Sequence, residues 1–205
     1  AWRQELAEKL EPVDEGVYAL KAPYRVAEQL AGPPISPRFV LSGEISSIYK
    51  KNGKVRKVHN VILLPSLEAA EKLSHRLEAV GNLHSDGRPI LGLDSRDLLE
   101  ITLQACPEAV FIPAHIWTPH FSLFGAYSGF DTIEECFEDL TGHIHALETG
   151  LSSDPAMNWR LSALDGYALV SNSDAHSPAK LAREANLFQG TANYPTLADA
   201  LQGDR

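Results

Sequence analysis

The sequence predicts an α/β fold, because short apolar strand patterns alternate with helix patterns along its 205 residues. Strand-like runs occur at 39–41, 109–113, 144–147 and 167–170, and they argue for a parallel arrangement, either an open sheet or a barrel. In such folds ligands bind at the carboxyl ends of the strands. The length fits one domain, and we treat residues 1–205 as a single unit.

Capping and turn signals place the other elements. Ser and Asp at an N-cap accept a hydrogen bond from the first free N–H groups of a helix, and Pro suits the first turn. The predicted elements, in chain order, are a helix over 2–10, a turn over 14–16, a break at 32–34, a helix over 66–80 capped by Ser66, a helix over 98–105 opened by Asp94, a loop over 116–131, a helix over 132–139 and a helix that begins at Asp154.

Residues 45–64 are predicted to form a β-hairpin around Asn52-Gly53, since both residues of this pair accept a positive φ. A two-residue turn there would pair Lys51 with Lys54, Ser46 with His59 and Glu44 with Val61. Glu44 and His59 would then be diagonal neighbours on one face, about 7–8 Å apart at the backbone and closer at their side-chain ends. This spacing is short enough for both side chains to hold one ion.

Ionisable residues fall where the predicted strands end, and they form a candidate metal-ligand set. Imidazole and carboxylate ligands suit zinc or manganese, and magnesium is also considered. Asp174 and His176 would share one face if their segment is extended. The candidate ligands are Glu44, His59, His115, Asp174 and His176.

Composition excludes several classes of protein. The two cysteines are too few for a disulfide framework and favour a reduced, cytoplasmic setting. Apolar runs fall far short of the ~20 residues that a membrane span needs. The net charge of −9 disfavours non-specific binding to nucleic acid, so any DNA contact would have to be local.

Several motifs together resemble the PHP (polymerase and histidinol phosphatase) family of metal-dependent phosphoesterases, and most closely the PHP domain of the endonuclease Q family. The resemblance covers nearly every residue from about 43 to 188. The motifs that carry it include Gly43-Glu44 with His59, Pro113-Ala114-His115, Ser173-Asp174-Ala175-His176, the stretch Ser85-Asp86-Gly87-Arg88-Pro89 and the stretch Leu147-Glu148-Thr149-Gly150.

The resemblance implies a distorted (β/α)7-type PHP barrel and a nuclease that cuts DNA on the 5′ side of deaminated bases or at abasic sites. Two early motifs of the family, a His-x-His pair and a Gly-Asp-Phe-Thr-His stretch, have no counterpart in residues 1–205. We therefore expect a single partial PHP domain, incomplete at its N-terminal strands, with little nuclease activity of its own. Unpaired sheet edges would also favour association between chains.

Two further groups of residues are candidates for DNA contact. A basic cluster on the hairpin would clamp phosphates, or would simply be a solvated hairpin tip; it comprises Lys50, Lys51, Lys54, Arg56 and Lys57. A second group, from the aromatic loop and the turns that follow, would line a base pocket, or would only cover the barrel mouth and cap a helix. It comprises Trp117, His120, Tyr127, Glu148, Asn158, Trp159 and Arg160.

The sequence-based hypothesis is a metal-dependent endonuclease of the endonuclease Q type that acts on damaged DNA. The metal would generate the attacking water, while ions and lysines would absorb charge on the phosphate oxygens. Two alternatives remain open. One is a PHP-family phosphatase acting on a small phosphate ester. The other is a catalytically inactive remnant that stabilises a larger protein or binds DNA without cutting it.

Overall fold

The structure, a computed structural model, describes residues 2–25, 37–84 and 88–203. The predicted break at 32–34 lies outside these ranges. The helices are Trp2–Lys9 (α1), Leu67–Glu78 (α2), Ser95–Ala105 (α3), Ile133–Phe137 (α4), Pro155–Asn158 (α5) and Tyr194–Gln202 (α6). The strands are Leu10–Asp14 (β1), Val17–Leu20 (β2), Leu41–Lys51 (β3), Lys54–Leu64 (β4), Ile90–Leu91 (β5), Val110–Pro113 (β6), Ala146–Glu148 (β7) and Ala168–Val170 (β8).

The long hairpin of β3 and β4 is the centre of the fold, and its register is the predicted one. Asn52 and Gly53 take positive φ values of 52° and 74°, and Lys51 pairs with Lys54. The ladder continues to Ser46 opposite His59 and Glu44 opposite Val61. One detail differs, because β3 begins at Leu41 and Glu44 therefore lies inside the strand instead of after it.

The sheet topology confirms a mixed α/β fold but only part of the predicted parallel arrangement. The four-stranded sheet has the order β5-β3-β4-β6, with β3 and β5 parallel and the other two pairs antiparallel. A two-residue turn forces β3 and β4 to be antiparallel, whatever the rest of the chain does. β7 and β8 form a separate parallel pair, and β1 and β2 an antiparallel one. Within the described ranges these three sheets do not close into a barrel.

Helices α2 and α3 contribute their apolar faces to the core. Ser66 caps α2 as predicted, because its side chain accepts from the backbone N–H of Ala69. Asp94 caps α3, which therefore begins at Ser95, three residues earlier than predicted. Leu98 and Leu99 are fully buried, and each such leucine stabilises the fold by about 1.5–3 kcal/mol.

Strand β6 brings a third chain segment to the hairpin. Asn60 on β4 pairs with Pro113 at the end of β6, and Ala114 donates its N–H to the carbonyl of His59. His115 therefore arrives beside His59, although 56 residues separate them in sequence. In the part of the chain that the structure describes, the helices are all too short or too polar to cross a membrane.

Candidate metal centre

Glu44, His59 and His115 bring one ligand atom each to a common point. The Nδ1 atom of His59 lies 3.2 Å from Oε1 of Glu44 and 3.1 Å from Nε2 of His115, and the third side of the triangle measures 3.6 Å. Four ligands held tetrahedrally at about 2.0–2.1 Å from zinc lie about 3.3–3.4 Å from one another. The triangle therefore has the dimensions of one face of such a site.

One polar atom of this triangle, on Glu44, is left unsatisfied by the residues that the structure describes. Oε1 of Glu44 is buried and has no hydrogen-bond partner among the described residues, although two histidine nitrogens lie close to it. A buried carboxylate oxygen without a partner costs free energy, and a cation would remove that cost. The residues that the structure shows thus fit a divalent metal.

The electrostatics also favour cation binding. Burial opposes ionisation of Glu44, but His115, His59 and Arg88 outweigh it and hold the pKa of Glu44 well below its usual value. Burial lowers the pKa of His59, which leaves its imidazole neutral near pH 7. Burial also opposes protonation of His115, but the neighbouring Glu44 outweighs burial and raises the pKa of His115. A metal would have to displace that proton, so its binding is coupled to pH.

The orientation of His115 is fixed by Thr118. The Thr118 hydroxyl lies 2.8 Å from the carbonyl oxygen of His120, to which it donates, and 3.0 Å from Nδ1 of His115. Because the hydroxyl proton is already used, the same oxygen accepts from Nδ1–H. This network places a proton on Nδ1, so Nε2, which faces Glu44 and His59, is the atom that can bind a metal once its own proton is lost.

Glu148 holds the backbone of His115. Its Oε2 accepts from the His115 N–H at 2.7 Å, and its Oε1 accepts from the Asn172 side chain at 2.7 Å. Burial raises the pKa of Glu148 despite these contacts. The sequence predicted Glu148 in a substrate pocket; in the structure it borders a cavity beside Glu44, and its carboxylate also holds the backbone of His115.

Asp174 and His176 lie beside the triangle but do not join the group of atoms that converge within 4.8 Å in the described chain. Asp174 has a φ of 44°, so the segment is not extended there as predicted, but the two side chains still lie near each other, with Nδ1 of His176 3.8 Å from Oδ1 of Asp174. Asp174 points towards Arg88 at 3.9 Å, and the His176 side chain is 75% exposed. Their assignment as ligands remains a prediction.

Arg88 is the site residue that sequence reasoning missed. Its guanidinium lies 2.8 Å from Oε2 of Glu44 and 3.0 Å from Nδ1 of His59. No sequence pattern indicates that an arginine in a loop will contact residues distant in the chain. The motif that contains Arg88 contributed only to the family resemblance.

The basic cluster divides into two parts. Lys50 and Lys54 are exposed at the hairpin tip, whereas Lys51 forms ion pairs with Asp94 and Glu138. Arg56 is buried; it donates to the carbonyl of Gly129 and lies over the Phe130 ring. The expectation that Lys51 and Arg56 clamp phosphate is therefore not supported, because both cations already have internal partners. Lys57 is half-buried, with its Nζ 5.1 Å from the centre of the Phe121 ring.

The aromatic loop has a buried side and an exposed side. Trp117 donates from Nε1 to the buried Asn158 at 2.8 Å, so this pair is structural. Tyr127 is 75% exposed and stacks on the exposed His120, with ring centres 4.5 Å apart. Trp159 and Arg160 are exposed on the turn after α5.

Two cavities open on the triangle. One of about 330 Å³ is bounded by Glu44, His115, Glu148 and Asp174. The other, of about 560 Å³, is bounded by Glu44, Arg88, Asp174 and His176 on one side and by apolar residues of β3, β4 and α2 on the other. Both are large enough to admit a phosphate group.

Comparison with known proteins gives one informative likeness. The chain is 35% identical over 153 residues to the uncharacterized protein YqxK of Bacillus subtilis (strain 168). The match covers 71% of this chain and 37% of YqxK, so the chain spans well under half of that relative's length. No family model matches the chain, and no solved structure matches it.

Proposed function

We propose that the chain is part of a metal-dependent phosphoesterase of the PHP family, with Glu44, His59 and His115 as metal ligands. The observation that carries the proposal is the triangle of one carboxylate oxygen and two imidazole nitrogens, with edges of 3.1–3.6 Å and an unsatisfied buried oxygen. Three protein ligands leave a position for water, as catalytic metal sites do. Zinc or manganese suits this ligand set, with magnesium as a further possibility.

A bound metal would supply a water of lowered pKa and would polarise a phosphoryl oxygen. The chain's own residues then have distinct tasks. Glu44, His59 and His115 hold the ion, while Thr118 and Glu148 orient His115. The described strands belong, in this proposal, to a distorted PHP barrel whose other strands lie outside them.

The proposed substrate is DNA that contains deaminated bases or abasic sites, cut on the 5′ side of the lesion. Support comes from a continuous path between the surface and the triangle. Lys57 lies over Phe121, and the Phe121 ring packs 4.8 Å from the ring of His59. The exposed His120–Tyr127 stack offers a face on which an extruded base can stack. Cytoplasmic location and self-association through sheet edges belong to the same proposal.

The product of the complete reading frame that encodes this chain provides the test. We would incubate it with Mn²⁺ and 5′-labelled strands that contain deoxyuridine, deoxyinosine, an abasic site or no lesion. We expect nicks 5′ of the lesion that require metal and vanish in His59→Ala, whereas His75→Ala, an exposed histidine on α2, cuts normally. Hydrolysis of p-nitrophenyl phosphate without DNA cleavage would favour the small-ester phosphatase. Absence of both activities would favour the inactive remnant.

A further inference from the structure

Arg88 occupies an unusual position for a structural arginine. Its Nη2 lies 2.8 Å from Glu44 Oε2, and its Nη1 lies 3.0 Å from Nδ1 and 3.3 Å from Nε2 of His59. Nη2 also faces Asp174 at 3.9 Å. Its side chain is 25% exposed, and it borders the 560 Å³ cavity.

The guanidinium of Arg88 lies close to the position that a metal ion bound to His59 would take. Nη1 lies at nearly equal distances from Nδ1 and Nε2, so it sits over the face of the imidazole ring and leaves the lone pair of Nδ1 open. A metal bound to Nδ1 would stand beside the guanidinium, and repulsion between the two cations would push Arg88 away. The contact between Arg88 and His59 therefore belongs to the metal-free site, where the guanidinium balances the charge of Glu44. Metal binding would remove this contact and leave the donors of Nη1 without a protein partner.

In this position the guanidinium group of Arg88 also has a hydrogen-bond donor without a partner. Its buried Nε donor has no hydrogen-bond partner among the described residues. Guanidinium is a planar group with five donors that matches phosphate oxygens two at a time. A freed Arg88 would sit at the border between the metal and the cavity, where the phosphate of a substrate has to lie.

We propose that Arg88 is the phosphate-binding residue of this site and that metal binding releases it for that role. The inference rests on the metal centre proposed above and adds a substrate contact to it. Metal and phosphate should then bind cooperatively, because the metal frees Arg88 and a phosphate holds it away from His59. Such coupling is reciprocal, so phosphate must tighten metal binding by the same factor.

The test measures Mn²⁺ affinity with and without saturating inorganic phosphate in the wild type, Arg88→Gln and Arg76→Gln. Arg76 is an exposed arginine on α2 that contacts Gln104, so its variant controls for lost charge and for complexes of Mn²⁺ with phosphate in solution. We expect phosphate to tighten Mn²⁺ binding at least about fivefold in the wild type and in Arg76→Gln. Arg88→Gln should bind Mn²⁺ at least as tightly as the wild type without phosphate, because the competing cation is gone, and should gain nothing from phosphate.

Each other outcome contradicts a specific part of the account. An equal phosphate effect in Arg88→Gln, or an equal effect of acetate in the wild type, would overturn the assignment of Arg88 to phosphate. Loss of Mn²⁺ binding in a folded Arg88→Gln, and also in Arg88→Lys, would show that Arg88 only positions Glu44. A wild type that binds no Mn²⁺ would overturn the metal centre itself, and the inference with it.

Discussion

Gly150 lies directly against His115, and the contact leaves no room for a side chain. A Cβ on Gly150 would be 2.6 Å from Cβ of His115 and 2.9 Å from its Cα. Gly150 also has a φ of +61°, a conformation that residues with a Cβ adopt only at a cost. His115 has a positive φ of 32° as well. The chain after β7 thus supports His115, which follows β6.

Gly150→Ala should destabilise the fold and weaken metal binding together. The positive φ and the steric overlap should cost about 2–4 kcal/mol in the free energy of unfolding, and His115 should shift away from the other two ligands. Urea unfolding and Mn²⁺ titration measure the two effects. Gly142→Ala is the matched control, since a Cβ there meets nothing within 4 Å among the described residues; its stability should change by less than about 0.5 kcal/mol. Equal effects at both glycines would contradict this role of Gly150.

Thr118→Val should weaken metal binding while leaving the fold intact. Valine has nearly the same shape but cannot accept from Nδ1 of His115, so the imidazole loses its fixed tautomer and orientation. We expect a loss of about 10–100-fold in Mn²⁺ affinity. Thr141→Val, which removes a hydroxyl bonded to the carbonyl of Glu138, should leave Mn²⁺ affinity unchanged. Wild-type affinity in Thr118→Val would show that the hydroxyl does not orient His115.

We expect two of the hairpin lysines to bind DNA and a third to stabilise the fold. Lys50 and Lys54 are exposed, so replacing both by Ala should weaken binding to damaged and undamaged DNA alike and flatten its dependence on salt. The free energy of unfolding should barely change in this double variant. Lys51→Ala should instead lower stability, because Asp94 and Glu138 lose their common partner. If the double variant binds DNA at low salt as tightly as the wild type, the lysines at the hairpin tip are only solvated and do not contact DNA.

Stability should fall at alkaline pH because of a buried thiol. Burial raises the pKa of Cys136 to about 12, whereas a cysteine in the unfolded chain ionises near pH 8.5. Between these values the unfolded state binds fewer protons than the folded state, so the free energy of unfolding decreases as pH rises. Cys136→Ala should reduce this slope by up to about 1.4 kcal/mol per pH unit. An unchanged slope between pH 9 and 12 would contradict the assignment.

The hairpin could be predicted residue by residue, because Asn52-Gly53 fixes both the turn and the register through local backbone chemistry. The proximity of Glu44 to His59 followed from that register alone. The pairing of β4 with β6 could not be derived in this way, since it depends on long-range packing. His115 could therefore be named as a candidate ligand but not placed.

The predictions about the site that were wrong or missing also concern conformations and contacts that local sequence patterns do not reveal. The two-residue spacing of Asp174 and His176 predicted neighbouring side chains in an extended segment. The side chains are neighbours, but the positive φ of Asp174 shows that a turn and not an extended segment brings them together. Arg88 reaches His59 from a position 29 residues along the chain, and no periodicity or capping signal marks that contact. Lys51 was expected to be free for phosphate because its acidic partners, Asp94 and Glu138, are distant in sequence.

The most direct test of the account is the melting temperature of the metal-free chain during a titration with Mn²⁺. The wild type and His75→Ala should become more stable as Mn²⁺ rises, by about 2.7 kcal/mol at a hundredfold excess over Kd. Glu44→Gln and His59→Ala should fold and show no such rise, because each removes one corner of the triangle. The proposed metal centre would be contradicted if the melting temperature of the wild type did not change with Mn²⁺, or if that of Glu44→Gln rose by the same amount.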